Sequence, residues 1–451
     1  MLTNTSDPNA YLKRLPIALL SIVVVLLGTI CGVQVAPAQA APVRTAGAVS
    51  VMSYGAVGNG SSDDTAAFLR AQDAALSSSV RYASGPTGAP QAVVYVPPGT
   101  YRLLHLPFRS NLRMEVNASA VLEQAGGRYT DIARTASLID WDAPGPTPLT
   151  NVSLVGVGTS SGGLKALAGR PFTGWSLSSD FTFNLDPGTT NASVLVAGVQ
   201  ALNVTGFLIM NVYSIQNDSQ PLTLPTTDDG WWPGSRKAAL GLRERADTPS
   251  DGSVFYDPHN GTITNWYNIG GPKGFGPNQV NAGHNLTFRH LFTQGGTAMR
   301  LETDASQGKT FASEIRGLVA DDVAGLNCNR AVAFSPHAQF NYDVTVTRVQ
   351  AVNCAAGVVE SIDATSGQAP GAFVNSTISG VSVTGGPGAQ NAPTNGNTLW
   401  TAGVSQRAFA KDKALQATWS VVYGTFSCQG VFLSPPQLIM SAGGLVAPVC
   451  L

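Results

Sequence analysis

The sequence predicts an all-β protein whose strands form a solenoid of stacked coils. Charged residues make up only 12% of the 451 residues, whereas Gly and Pro number 49 and 28. That balance favours strands and turns over helices. Short strand-like runs recur along the chain, commonly at spacings in the twenties or low thirties of residues. Such a loose repeat is typical of stacked coils joined by turns of variable length.

The first 40 residues have the organisation of a secretory signal peptide. Lys13 and Arg14 precede the apolar run "LPIALLSIVVVLLGTICGV", and the small residues "AQA" predict cleavage after Ala40. We therefore expect a secreted protein with no stable membrane partner once this segment is removed. An uncleaved membrane anchor is the alternative, because the apolar run is almost long enough to span a bilayer.

The mature chain is predicted to open, from about residue 47, with a short cap. In "VMSYGAVGNGSSDDTAAFLRAQDAA" a strand and a Gly/Asn turn lead into a helix, and Asp63 and Asp64 are placed to cap its start. The run "VVYVPPGTYRL" follows. This opening resembles the N-terminal cap of right-handed parallel β-helix enzymes that act on polysaccharides, the pectate-lyase-like and polygalacturonase-like proteins. The resemblance implies a single-stranded right-handed parallel β-helix, whereas composition alone also allows a β-sandwich.

The β-helix is expected to span residues 47–385, and residues 386–451 are predicted to form a C-terminal cap region. A polar insertion at 213–260 breaks the rhythm of strands. Because long loops on a rigid scaffold often carry function, we assign Trp231, Trp232 and Arg236 of this insertion to substrate binding. A solvated loop, pinned by its tryptophans, is the alternative. The strand-like runs that support the solenoid are "NVSLVGV", "NVTGFLIMNV", "GTITNWYNI", "NLTFRHLF", "EIRGLVADDV", "YDVTVTRVQAV" and "NSTISGVSV".

Four cysteines follow the signal segment, and an even number in an exported chain predicts disulfides. Sequence proximity favours the pairs Cys328–Cys354 and Cys428–Cys450, although four cysteines allow three pairings. A zinc site is the poorer interpretation because no CxxC spacing occurs.

The stretch "RLETD" places two carboxylates, Glu302 and Asp304, on one face of a predicted strand. Their Cα atoms would lie about 6–7 Å apart. Divergence of the side chains then reaches the carboxyl separation of inverting glycosidases, about 6.5–9.5 Å. Mutual repulsion and partial burial would keep one carboxyl protonated as an acid while the other accepts a proton from water. The alternative is a solvated acidic edge that Arg300 neutralises.

Two residues at about one coil's distance extend this pair. Gln279 lies 23 residues before Glu302, and His337 lies 35 residues after it. The run "GFGPNQVNAGHNLTFRHLFTQGGTAMRLETD" resembles the core of ι-carrageenases, glycoside hydrolase family 82, which are right-handed β-helix enzymes that hydrolyse β-1,4 linkages of a sulfated galactan with inversion. The resemblance implies that Glu302 is the acid, Asp304 the base and Gln279 the residue that positions water. It implies substrate binding by His337 and Arg300.

The overall charge excludes some partners. A formal net charge of −1 provides no field that would recruit nucleic acid. Lys and Arg total only 26, which departs from the dense basic lining that a heavily sulfated polymer requires and favours a less charged glycan. We expect a monomer that needs neither an organic cofactor nor a catalytic metal, with a structural cation or chloride left open.

Other constellations are weaker. Asp321 and Asp322 resemble the paired aspartates of polygalacturonases, but adjacent strand residues face opposite ways and the companion "GHG" and "RIK" motifs are absent, so a turn is favoured. His284 and His290 are expected to be structural. No HExxH or GxSxG motif supports a zinc peptidase or serine hydrolase. A pectate-lyase-like or polygalacturonase-like enzyme and a non-catalytic glycan-binding adhesin are the alternatives.

Overall fold

The computed structural model describes a large part of the chain. The described residues are 42–124, 137–143, 146–160, 178–185, 197–215, 238–242, 245–246, 255–270, 278–303, 314–328, 330–336, 339–352, 354, 356–362, 372–384, 401–408, 424–429 and 432–433. The predicted signal segment and most of the insertion lie outside them. Among the described residues no helix is long and apolar enough to cross a membrane.

The secondary structure is nearly all β, with one α-helix in the described residues, α1 (Thr65–Ser77), and a single 3-10 turn at Val51–Tyr54. The first strands are β1 (Val49–Ser50), β2 (Asn59–Asp63), β3 (Arg81–Tyr82), β4 (Gln91–Val96), β5 (Gly99–Leu103), β6 (Leu106–Pro107), β7 (Leu112–Asn117), β8 (Ala120–Gln124), β9 (Ser137–Asp142) and β10 (Leu149–Val157). The central strands are β11 (Phe181–Asn184), β12 (Ala197–Ile215), β13 (Ala238–Leu242), β14 (Arg245–Ala246), β15 (Phe255–Tyr256), β16 (His259–Ile269), β17 (Asn278–Val280), β18 (Gly283–Gln294), β19 (Thr297–Glu302) and β20 (Ile315–Arg316). The last strands are β21 (Val319–Leu326), β22 (Arg330–Ser335), β23 (Phe340–Tyr342), β24 (Thr345–Val352), β25 (Ala356–Ile362), β26 (Ala372–Thr384), β27 (Thr401–Ala408), β28 (Gly424–Gln429) and β29 (Phe432–Leu433).

Strands of successive coils pair in parallel. One run, which we call sheet A, passes from β7 through β10, β12, β16, β18, β21 and β24 to β26. A second run, sheet B, passes from β6 through β9, the first part of β12, β13, β17, β19, β22 and β25 to β27. Among the described pairings only β3–β4 and β14–β15 are antiparallel. The predicted all-β solenoid with a short N-terminal helix is therefore confirmed as a parallel β-helix.

The coils turn their corners through residues in the left-handed backbone region, which L-amino acids other than Asn, Asp and Gly rarely adopt. These residues stack in two rows, so each coil bends at the same place while its hydrogen-bonded ladder continues. The first row is Asn151, Gly206, Asn260, Asn285, Gly317, Asp343 and Asn375, and the second is Asn211, Asn265, His290, Asp322, Arg348 and Gly380.

The interior of the coils is a continuous apolar core. Phe108, Trp141 and Phe207 meet edge to face, with ring centroids 5.6 Å apart at both contacts. Burial of each such side chain stabilises the fold by about 2–3 kcal/mol. Since core positions alternate with outward positions along each strand, the core determines which side chains reach the outer surface.

Helix α1 covers the first coils, and its start differs from the prediction in one respect. Asp63 receives the backbone N–H and hydroxyl of Thr65, at 2.9 and 2.6 Å. Asp64 makes no cap hydrogen bond to the helix. Its carboxylate instead accepts the backbone N–H groups of Val57 and Gly58 and so holds the preceding turn. The prediction that both aspartates cap the helix is therefore wrong for Asp64, because the turn at residues 55–58 supplies unpaired donors closer to it.

One predicted disulfide is confirmed. Cys328 and Cys354 are bonded, with Cα atoms 4.4 Å apart, and both residues are buried in the core. The bond joins the ends of two successive sheet A strands, β21 and β24. The second predicted pair, Cys428–Cys450, lies outside the described residues because Cys450 is not among them.

Candidate functional site

Strand β19 carries an acidic and a basic side chain on its outer face. Its sequence is TAMRLE, and Met299 and Leu301 are fully buried in the core. Because side chains alternate along a strand, Arg300 and Glu302 project from the opposite face. Both remain largely enclosed, with side-chain exposures of 15% and 10%.

Both carboxylate oxygens of Glu302 accept hydrogen bonds. The side-chain amide of Gln279 donates from Nε2 to Oε2 at 2.8 Å. A guanidinium nitrogen of Arg300, Nη2, forms an ion pair with Oε1. Gln279 is almost fully buried, at 2% exposure. Three residues that the sequence analysis singled out are thus brought into contact, and the donors on Glu302 stabilise its ionised form while no sugar is bound.

The register of this contact differs from the expectation. Gln279 was expected to stack directly beside Glu302, but it lies opposite Arg300, and Val280 lies opposite Leu301. The coil between these strands therefore advances by 21 residues rather than 23. The long glutamine side chain reaches Glu302 diagonally, which keeps the predicted proximity despite the shifted register.

The outer face of sheet B continues this site toward the N-terminus. Asp140, Gln200, Gly241, Gln279 and Arg300 occupy the same position in five successive coils. The row is about 19 Å long, at about 4.8 Å per coil. Four of its members carry hydrogen-bonding side chains, and Asp140 and Gln200 are buried. None of these two residues was predicted, since only the pairing of coils reveals that they share a row.

Five predicted site residues fall outside the described residues. They are Asp304, His337, Trp231, Trp232 and Arg236. Strand β19 ends at Glu302, and the described chain stops one residue later at Thr303. Assignments to these five residues therefore stay predictions.

The aspartates 321 and 322 form part of a coil corner, as predicted. Asp322 has φ +63° and receives Nδ1 of His290 at 2.7 Å. Asp321 accepts both a guanidinium nitrogen pair of Arg348, at 2.8 and 2.6 Å, and the hydroxyl of Thr347. The hydrogen bonds from Arg348 lower the pKa of Asp321, burial opposes them, and Thr347 adds to the lowering. This arrangement closes the corner and leaves neither carboxylate enclosed beside the other.

The histidines 284 and 290 are paired with carboxylates, which confirms their structural interpretation. His284 contacts Asp257 through Nδ1 and lies 3.6 Å from Glu314 through Nε2. The hydrogen bond with Asp257 raises the pKa of His284, against the opposing effect of burial. Within the part of the chain that the structure describes, no group of three or more His, Cys, Asp or Glu side chains could hold a metal ion.

Comparisons with known proteins agree with this fold. A family model described as rhamnogalacturonase A/epimerase, pectate lyase-like, matches residues 48–106, which is the predicted opening. A solved 1,3-α-1,4-β-D-galactose-4-sulfate-3,6-anhydro-D-galactose-2-sulfate 4 galactohydrolase superposes with a TM-score of 0.64, 18% identity and coverage of 91% of this chain and 94% of that one. An ι-carrageenase of glycoside hydrolase family 82 from A. fortis superposes with a TM-score of 0.56 at 20% identity, over 76% of this chain and 73% of that one. The chain therefore has the pectate-lyase-like fold of these enzymes.

The sequence similarity extends beyond the fold. An ι-carrageenase of Alteromonas macleodii is 26% identical over 390 residues, or 85% of this chain and 67% of the relative. An ι-carrageenase of Zobellia galactanivorans is 26% identical over 267 residues, or 59% of this chain and 45% of the relative. The predicted resemblance to ι-carrageenases is confirmed. The chain spans less than half the length of the second relative.

Proposed function

We propose that this chain is a secreted glycoside hydrolase that cleaves a galactan-type polysaccharide by inverting acid–base catalysis on a right-handed β-helix. The observation that carries this proposal is the cluster of Gln279, Arg300 and Glu302 on the outer face of sheet B. The resemblance to ι-carrageenases supports a polysaccharide hydrolase as the class of enzyme. A sulfated galactan is the substrate of first choice, although the low Lys and Arg content favours sparse sulfation.

In the proposed reaction Glu302 acts as the acid. It gives its proton to the glycosidic oxygen as the bond from that oxygen to the anomeric carbon breaks. Asp304, two residues further on, accepts a proton from a water molecule that attacks the same carbon from the opposite side. The new carbon–oxygen bond replaces the broken one, and the configuration at that carbon inverts. Gln279 positions the water or Glu302 by its amide.

Arg300 has two roles in this proposal. Without sugar, its ion pair with Glu302 favours the ionised carboxylate, which cannot act as an acid. An anionic group on the polymer, such as a sulfate ester, would attract the guanidinium in a bidentate manner. Oε1 of Glu302 is then free to carry the proton that the leaving oxygen needs. Arg300 therefore connects substrate binding with the protonation of the acid.

The remaining assignments complete the proposal. His337, Trp231, Trp232 and Arg236 would bind sugar rings or their substituents. Residues 1–40 would act as the signal peptide, 47–385 as the catalytic β-helix and 386–451 as the C-terminal cap region. A monomer with a polysaccharide as its partner is the simplest assembly for this reaction.

The test is release of reducing ends from ι-carrageenan, less sulfated galactans, agarose and pectin by the full-length secreted chain. We expect cleavage of at least one galactan, a product whose first anomer is inverted by NMR, and no new ultraviolet absorbance. Asp304→Asn should lower the rate about a thousandfold, since a general base contributes that order of magnitude.

Three outcomes contradict the proposal. An ultraviolet-absorbing product indicates a lyase, retained anomeric configuration indicates a double displacement, and binding without reducing ends indicates a glycan-binding adhesin.

A further inference from the structure

We propose that Asn281 is a substrate-binding residue whose side-chain amide pairs with a free hydroxyl group of the sugar ring beside Glu302. This assignment rests on the proposed glycan-binding function and adds a specificity determinant to the same site. It follows from the direction of the side chain, its position in the ladder and the state of its amide.

The direction of the Asn281 side chain follows from its neighbours. Val280 is fully buried in the core, while Gln279 on the other face reaches Glu302. The backbone N–H of Asn281 donates to the carbonyl of Leu242 at 2.7 Å, which continues the parallel ladder beyond the end of β17. The chain is thus still extended at Asn281, so its side chain leaves on the same outer face as that of Gln279.

The position of Asn281 places it next to the candidate acid. Val280 is the ladder partner of Leu301. One residue further along both strands, Asn281 stands beside Glu302, with the two backbones about 4.8 Å apart. Any sugar ring held by Glu302 through its glycosidic oxygen would extend over the Asn281 amide.

The amide itself has no partner in the part of the chain that the structure describes. Asn281 is 5% exposed, and its side-chain oxygen is buried without a hydrogen-bond donor. Buried side-chain amides in native proteins are nearly always paired, because an unmade hydrogen bond costs the full desolvation of the group. An acceptor of this kind on the outer face beside a catalytic carboxyl is accounted for when a ligand supplies the donor.

The chemistry of the amide selects the ligand group. A carbonyl oxygen requires a donor, and the donors of a polysaccharide are its free hydroxyl groups. A sulfate ester offers only acceptor oxygens, so it cannot satisfy Oδ1. We therefore infer that the ring over Asn281 carries a free hydroxyl at the contacted carbon, which agrees with the low number of basic residues in the chain.

Affinity electrophoresis through gels that contain agarose or ι-carrageenan tests this inference. Asn281→Leu and Asn281→Asp are compared in the full-length Asp304→Asn background, so that the polymer is not consumed. We expect Asn281→Leu to weaken binding about tenfold, because it keeps the volume and removes the hydrogen bond. Asn281→Asp keeps acceptor oxygens and should bind more tightly than Asn281→Leu.

Asn278→Leu is the matched control. Asn278 is on the same strand and also has a buried side-chain oxygen without a donor in the described residues, but its Nδ2 donates to the carbonyl of Ala298 in the protein interior. It should lower the melting temperature and leave the Kd for the polymer unchanged.

Each contrary result has one meaning. Unchanged binding by Asn281→Leu overturns the assignment, and weaker binding by Asn281→Asp than by Asn281→Leu shows that the amide donates to a sulfate instead. If the wild type binds a polymer without cleaving it, only the hydrolytic proposal fails, and the Asn281 comparison stands. If it binds neither polymer, both proposals fail.

Discussion

Two arginine–carboxylate pairs in this molecule have the same chemistry and different surroundings. Arg300 and Glu302 are two residues apart on one strand of sheet B, with side-chain exposures of 15% and 10%. Arg348 and Asp321 join neighbouring strands of sheet A at a corner, with exposures of 58% and 30%. The first pair also receives an amide donor from Gln279, and the second receives the hydroxyl of Thr347.

The difference shows what separates a candidate catalytic carboxylate from a structural one. Enclosure strengthens electrostatic interactions and excludes water, and both effects are useful only where a charge has to change during a reaction. The exposed pair is screened by solvent and holds the corner formed by Asp322 and Arg348. We therefore expect chemistry to depend on Glu302 and only stability to depend on Asp321.

The largest effect expected from this comparison is on activity. Glu302→Gln should lower kcat/KM about a thousandfold on the polymer that the wild type cleaves, since it removes the proton donor and keeps the shape. Asp321→Asn should stay within about twofold of the wild type, since a coil corner contributes nothing to proton transfer. Release of reducing ends measures both variants, and circular dichroism establishes that both are folded. Equal losses in the two variants would show that the enclosed pair has no special role.

A smaller effect is expected on stability. Arg300→Met leaves an enclosed carboxylate without its cation, which should lower the free energy of unfolding by about 2 kcal/mol. Arg348→Met removes a solvent-exposed ion pair, and the expected loss is about 0.5 kcal/mol. Urea titration followed by tryptophan fluorescence measures both. If Arg348→Met proves the more destabilising, the corner rather than the enclosed pair stabilises the coils.

Much of the fold was predictable because it depends on local pattern. Runs such as "YDVTVTRVQAV" alternate apolar and polar residues, and that period fixes which side chains enter the core. The same reasoning gave the Cys328–Cys354 bond, because two coils of similar length bring equivalent residues together. The role of Asp64 was missed, since the donors of Val57 and Gly58 become neighbours only after the turn has formed.

The site was predictable only in part, because it depends on register between coils. Counting residues gave the neighbourhood of Gln279 and Glu302, but their diagonal contact depends on coil lengths that spacing does not determine. Asn281 lies two residues beyond Gln279, and the period of two in "NQVN" could have identified it. No local signal marks Asp140 or Gln200, whose row exists only through pairing of distant strands.

The smallest effect expected is the dependence of stability on acid pH, and it sharpens the account of the exposed pair. Hydrogen bonds from Arg348 hold the pKa of Asp321 below its ordinary value of 3.8 in the folded chain. A group with a depressed folded pKa contributes stability above its unfolded pKa and loses it as the pH falls through the folded one. Asp321→Asn should therefore be less stable than the wild type near neutral pH, by about 0.5 kcal/mol.

The two proteins should converge as the pH falls below the folded pKa of Asp321, because protonation then removes the same ion pair from the wild type. Arg348→Met should shift the stability of the wild type and leave that of Asp321→Asn unchanged, since the partner is already neutral there. Urea titrations at neutral pH and at about pH 2 measure the convergence. A difference that persists in acid would mean that the Asp321 side chain stabilises the corner through the hydroxyl of Thr347 rather than through its charge.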